Sequence, residues 1–223
     1  MSDVAFYDFV RGPFLKLALF VFFIGIAYRF FRVVFLGLPK DYAKPKGNPY
    51  YMALKKIVIK PTMGWTFNEI FSRRAINFMG GFLFHLGFLG LTFLVPAHAF
   101  LWQEITGLPI PGVPNIVSDL LAYSALGSLI ALTVHRALNP VLKLLTGKDE
   151  YLANFLIGAI LFTGILATKW AGGGFYVWIL STHMFLADLL ILYIPFSRLS
   201  HFVYYFLSVG FMGWNAGKRG VSF

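Results

Sequence analysis

Between His183 and His201 the chain is almost wholly apolar: Met184, Phe185 and Leu186, then Leu189, Leu190, Ile191, Leu192 and Ile194, with Asp188 the one carboxylate. A helix rises about 1.5 Å and turns about 100° per residue. The eighteen residues that separate the two histidines therefore amount to about 27 Å and five whole turns. The hydrocarbon core of a bilayer is about 30 Å thick. Read as one membrane helix over residues 175–206, the stretch sets both imidazoles on one face, near opposite edges of the bilayer. Ionisable groups at that depth are costly and mark sites.

Composition makes the membrane reading general. Only 13% of the 223 residues are charged and 58% are hydrophobic, against about 25% charged in a soluble domain. Four further apolar runs fit spans at about 14–34, 76–101, 116–134 and 151–168. The expected fold is thus all-α and integral to the membrane, one domain over residues 1–223 with five transmembrane helices. Cysteine is absent, which excludes disulfides, thiolate zinc and iron–sulfur ligation within the chain. Asp3, Asp8 and Arg11 ahead of the first run do not make the basic start of a cleaved signal, so the first span is expected to stay.

The formal charge of +10 belongs to loops at the lipid surface and does not point to nucleic acid. Residues 38–75 hold eight basic side chains, residues 135–150 three and the tail two, whereas the N-terminus, the 102–118 loop and the 169–174 turn hold one, none and one. The asymmetry puts the N-terminus outside and the C-terminus in the cytoplasm. Trp65 and Phe67 among those basic residues fit a short amphipathic stretch lying on the membrane. Beyond anchoring to anionic lipid, that face can dock a partner, with Lys55, Lys56 and Lys60 as the contacts.

In this topology span two runs outward, with His85 towards the cytoplasm and His98 towards the outside, and span five runs back. Antiparallel packing pairs His85 with His201 and His98 with His183, one pair per leaflet. Facing helices of a bundle commonly build cofactor sites this way. Two neutral imidazoles fill both axial positions of a haem iron and suit it to electron transfer. Gly87 and Gly90 would let a flat macrocycle approach the span-two backbone. His85 and His98 stand about 220° apart on an ideal helix, and Pro96 between them can kink or end it. His135, beside Arg136, reads as an interfacial histidine, or as an alternative ligand or propionate contact. Arg198, one turn before His201, is a candidate propionate partner or a positive-inside anchor. Asp188 needs a partner, a proton role or a watery cavity. Outside, Glu104 and Lys169 are the candidate proton-handling pair for a quinone, near Trp102 and Trp170.

At Leu83-Phe84-His85-Leu86-Gly87-Phe88-Leu89-Gly90 and at Pro195-Phe196-Ser197-Arg198-Leu199-Ser200-His201, the chain resembles the gamma (cytochrome b) subunit of respiratory nitrate reductase. The resemblance spans about residues 76–207 and includes the spacing from His183 to His201. It implies five spans, two b-type haems held by histidines of spans two and five, and a quinol site near the outer haem. His85 and His201 would hold the inner haem and His183 one side of the outer. Ten residues after His85 the family has its second span-two histidine, where this chain has Val95; the candidate here is His98. That pattern, with Asp149-Glu150-Tyr151-Leu152, is more similar to the cytochrome b subunits of sulfate-reducer, sulfur-oxidiser and heterodisulfide-reductase-like membrane complexes. The implied activity is electron transfer between a quinone, menaquinone or similar, and a cytoplasmic iron–sulfur partner, with further membrane or extracytoplasmic redox subunits possible, in the cytoplasmic membrane. The competing classes are a proton or solute transporter and a cofactor-free anchor for a soluble enzyme.

Overall fold

A computed structural model describes residues 3–37, 43–63 and 75–221, with the backbone alone over 59–63. The stretch around Trp65 and Phe67 lies outside the described residues, as do Arg73 and Arg74. Every described element is helical: α1 (Asp3–Phe9), a π-helical turn (Val10–Phe14), α2 (Leu15–Leu36), α3 (Pro49–Met63), α4 (Ala75–Leu94), α5 (Pro96–Thr106), α6 (Asn115–Leu138), α7 (Pro140–Leu145), α8 (Lys148–Lys169), α9 (Tyr176–Tyr193) and α10 (His201–Arg219). Five helical stretches are long and apolar enough to cross a membrane: Asp3–Leu36, Ala75–Leu94, Asn115–Leu138, Lys148–Lys169 and Tyr176–Phe196. Their outward faces stay apolar. Phe20 and Phe23 are each 64% exposed and Phe35 is 82% exposed, a surface that water would not tolerate as one continuous patch.

Prolines set the interruptions. Pro13 has no N–H and its ring crowds the carbonyl one turn back; the wider π turn takes up the misfit. Pro96 ends α4 and starts α5 as its first residue. Pro195 splits the expected span over 175–206. The helix stops at Tyr193, passes through two short 3-10 turns over Ile194–Phe196 and Arg198–Ser200, and restarts at His201. The five-turn phase relation between His183 and His201 therefore does not hold, because there is no single helix to carry it.

The chain divides into two compact units, Met1–Lys16 with Glu69–Leu190 and Leu17–Asn68 with Ile191–Phe223. In the first, α4 lies along α6 at backbone distance. A Cβ on Gly87 would stand 2.6 Å from the Leu121 carbonyl oxygen and 2.8 Å from Ala125 Cβ, and one on Gly80 would meet Leu132 at 2.9 Å. Small residues let membrane helices approach in this way. Gly87 and Gly90 thus serve helix–helix packing against α6. α8 packs on the other side of α6, where Asn154 donates to Thr133 Oγ1 at 2.9 Å. The Glu150 carboxylate accepts from the Gly147 N–H at 2.6 Å and caps the start of α8.

In the second unit α10 packs along α3 through Gly210, Gly213 and Gly217. A Cβ at Gly213 would come within 2.8 Å of Ala53 Cα, and one at Gly217 within 2.6 Å of Pro49 Cα. Here too α2 meets the Pro195 break. Gly25 leaves the space that the Pro195 ring fills. One turn on, Arg29 donates from Nε to the Pro195 carbonyl and from Nη1 to the Tyr204 hydroxyl, at 3.2 Å for the second. A carbonyl released by a broken helix needs such a donor when it is shielded from water.

Candidate functional site

The Pro96 break also frees carbonyls, and their partners build the site. Pro96 cannot donate to the Thr92 carbonyl, and the Trp102 indole N–H does so instead at 2.8 Å. The Leu94 carbonyl accepts the Val113 N–H at 2.8 Å. The Leu91 carbonyl accepts from His98 Nδ1 at 2.8 Å. A carbonyl only accepts, so Nδ1 of His98 carries the hydrogen and Nε2 is left with its lone pair.

His183, on α9, is held in the same state. Its Nδ1 donates to the Ile160 carbonyl of α8 at 3.0 Å and lies 3.2 Å from Thr163 Oγ1. Thr163 donates its own proton to the Ala159 carbonyl at 2.7 Å, so towards His183 it is an acceptor. Gly164 makes the room: a Cβ there would stand 3.0 Å from His183 Cε1. The His98 and His183 rings lie 6.0 Å apart between centroids and within 10° of parallel. An imidazole nitrogen sits about 2 Å from a metal it ligates. The two rings form a stacked pair, which brings two unprotonated Nε2 nitrogens into one neighbourhood. Among the described residues no group of three or more His, Asp or Glu is placed to hold a bare metal ion. His98 and His183 are the imidazoles of this region that could ligate a metal or cofactor.

His85 and His201 share the backbone-anchored state. His85 Nδ1 is 2.6 Å from the Gly81 carbonyl oxygen, and His201 Nδ1 is 3.2 Å from that of Arg198. His85 belongs to the first unit and His201 to the second; both are exposed. Arg198 is exposed as well, one turn before His201 on the short 3-10 turn that leads into α10. His135 is half-buried in the last turn of α6.

The candidate proton-handling residues Glu104 and Lys169 each have an acidic or basic partner of their own. Arg11 meets Glu104 at 3.3 Å, and Lys169 meets Asp119 at 2.6 Å. The Lys169–Asp119 pair joins the ends of α8 and α6, which pack together, and Arg11–Glu104 joins the turn after α1 to α5. Asp188 is 3% exposed, and its Oδ2 finds no hydrogen-bond partner among the described residues; nor does Ser181 Oγ, at 0% exposure. Seven residues separate the two, so they share one face of α9. Phe185 lies between them and stacks on Phe14 at 5.3 Å. Sequence reasoning missed Thr163, Gly164, Arg29 and the capping role of Trp102. The signal for two of them was a proline inside an apolar run, which releases carbonyls that some donor must take.

No family model matches this chain, and no solved structure does. A protein of Nitratidesulfovibrio vulgaris (strain Hildenborough), named only Protein, is 31% identical over 224 aligned residues, which cover 96% of this chain and 95% of that one. Identity at this level along the whole of both chains makes the present chain a member of the same family as that Nitratidesulfovibrio vulgaris protein.

Proposed function

We propose that the chain is a five-span dihaem cytochrome b of the cytoplasmic membrane, passing electrons between a quinone and a cytoplasmic iron–sulfur partner. One observation carries the reading: the near-parallel His98 and His183 rings, 6.0 Å apart with both Nδ1 atoms spent on carbonyls. His98 and His183 would hold the outer haem, His85 and His201 the inner one, with Arg198 placed for a propionate. A haem bound there would supply one-electron transfer. The chain's own part is to fix each ring's tautomer and direction through backbone carbonyls, as outer partners of metal-bound histidines commonly do. In this reading the N-terminus is outside and the C-terminus cytoplasmic. The α3–α10 pair, with Lys55, Lys56, Lys218 and Arg219, is then the partner's docking face. Nitrate-reductase-gamma-like subunits and their sulfate-reducer relatives are the family this reading fits.

A reduced-minus-oxidised absorption spectrum of the purified protein tests it. The expected result is a b-type alpha band with about two haems per chain. His98→Ala and His183→Ala should each remove the same one of the two, and His201→Ala the other. Full haem content in His98→Ala would refute the outer pairing. A proton-conducting role is the second reading, favoured by Asp188 Oδ2 and Ser181 Oγ, which share one face of α9 and have no hydrogen-bond partner among the described residues. Proton flux into vesicles holding haem-free protein, abolished by Asp188→Asn, would establish that role instead.

A further inference from the structure

Arginines and lysines recur through the second unit, yet among its described residues there is neither an Asp nor a Glu. The anions that balance it therefore come from outside the unit. Two of its arginines lie inside a membrane span. α2 ends at Leu36, which puts Arg32 about 6 Å and Arg29 about 10 Å short of the helix end. We propose that Arg29, Arg32 and Tyr204 bind the phosphate of an anionic phospholipid. The proposal goes beyond the dihaem reading and stands without it.

Gly25, Arg29 and Arg32 stand at i, i+4 and i+7 and share one stripe of α2, the stripe that meets the Pro195 break. Arg29 is fixed there. Its Nε donates to the Pro195 carbonyl and its Nη1 to the Tyr204 hydroxyl, so the guanidinium is held against the break and does not snorkel towards water. A guanidinium has five N–H donors. Two are spent, and the remaining three have no partner among the described residues. Tyr204 accepts from Arg29, which leaves its own O–H proton to donate. Arg32 is exposed and has neither a hydrogen bond nor an ion pair among the described residues. Unspent donors thus converge where no acceptor of the unit reaches them. A phosphate carries the charge and the several acceptor oxygens that they match. Acidic groups of a soluble partner do not reach a guanidinium at this depth in a span, whereas lipid headgroups meet basic pockets between helix ends. A choline or ethanolamine headgroup would add an ammonium that no carboxylate receives, so the lipid is one with net negative charge. Tyr28 and Ile24, both exposed, flank the stripe one and two turns deeper than Arg32 and give the acyl chains an apolar bed. On the topology proposed above, the site faces the inner leaflet. Basic residues that merely orient a span need neither a fixed guanidinium nor the Tyr204 hydroxyl.

Arg29→Gln would strip the Pro195 carbonyl of its donor and can fail to fold, so the test uses Arg32→Gln and Tyr204→Phe. Arg136→Gln, exposed at the end of α6 in the other unit, controls for charge alone. The delipidated full chain in detergent is titrated with dioctanoylphosphatidylglycerol, and bound lipid is counted by native mass spectrometry. One lipid per chain should bind saturably, and dioctanoylphosphatidylcholine should bind about tenfold more weakly. Arg32→Gln should weaken phosphatidylglycerol binding by about tenfold as well, and Tyr204→Phe several-fold, while Arg136→Gln binds as the wild type does. Equal binding of the two lipids, unchanged affinity in Arg32→Gln or in Tyr204→Phe, or an equal loss in Arg136→Gln overturns the proposal. So does displacement of the lipid by inorganic phosphate or glycerol phosphate at equal concentration, which would make the site one for a free anion. Spectra of the same samples separate the two readings. Haem lost from Arg32→Gln with its lipid affinity unchanged assigns the guanidinium to a propionate and overturns the proposal. Saturable, Arg32-dependent lipid binding in protein without haem leaves the site standing and the dihaem reading refuted.

Discussion

Two backbone carbonyls near Pro96 decide what two side chains do. A carbonyl left without a donor in an apolar surrounding costs about 1–3 kcal/mol. The Trp102 indole therefore acts as a structural cap for Thr92, and His98 owes its ring direction to Leu91. Trp102→Phe keeps the ring that stacks on Phe93 but deletes the N–H. We expect thermal stability in detergent to fall by about 1–3 kcal/mol, with α5 loosened and the haem assigned to His98 lost more easily on heating. Unchanged melting of both protein and haem signal would show that water or lipid headgroups satisfy Thr92 as well.

Helix pairs are set by glycine spacing more than by large apolar side chains, which mostly point outward. Between α4 and α6 the Gly87 position tolerates no Cβ, whereas Gly81, six residues earlier on α4, meets nothing within 4 Å. Gly87→Leu and Gly81→Leu are thus a matched pair. Overpacking costs about 1–3 kcal/mol, so Gly87→Leu should lower folded yield and melting temperature while Gly81→Leu leaves both near wild type. Equal effects of the two would mean that bulk on α4, not its contact with α6, matters. The same reasoning marks Gly213 and Gly217 on α10, where α3 lies at backbone distance.

For the molecule as a whole, orientation across the membrane rests on the charge asymmetry of its loops. The chain has no cysteine, so single introduced thiols report it directly. Gln103→Cys should react with a membrane-impermeant maleimide on intact cells, and Val221→Cys only after permeabilisation. The opposite pattern would invert the topology and with it the assignment of inner and outer haem sites. The five apolar runs were legible because bilayer thickness and helical rise fix how long such a run must be. His98 and His183 could be singled out as polar groups inside those runs, and Pro96 and Pro195 as places where a helix can fail. A loop-charge count could not show that Glu104 pairs with Arg11 and Lys169 with Asp119, since ion pairs depend on which helix ends lie side by side. Nor could periodicity carry His201 into phase with His183 once Pro195 broke the helix between them. By itself the sequence determined the five apolar runs and the break at Pro96 that ends α4, both of which follow from local chemistry along one chain. Only the tertiary structure decided that His98 and His183 stack 6.0 Å apart, that Gly87 packs a helix, and that Thr163 Oγ1 lies 3.2 Å from His183 Nδ1, because distances between helices are set by side chains far apart in sequence.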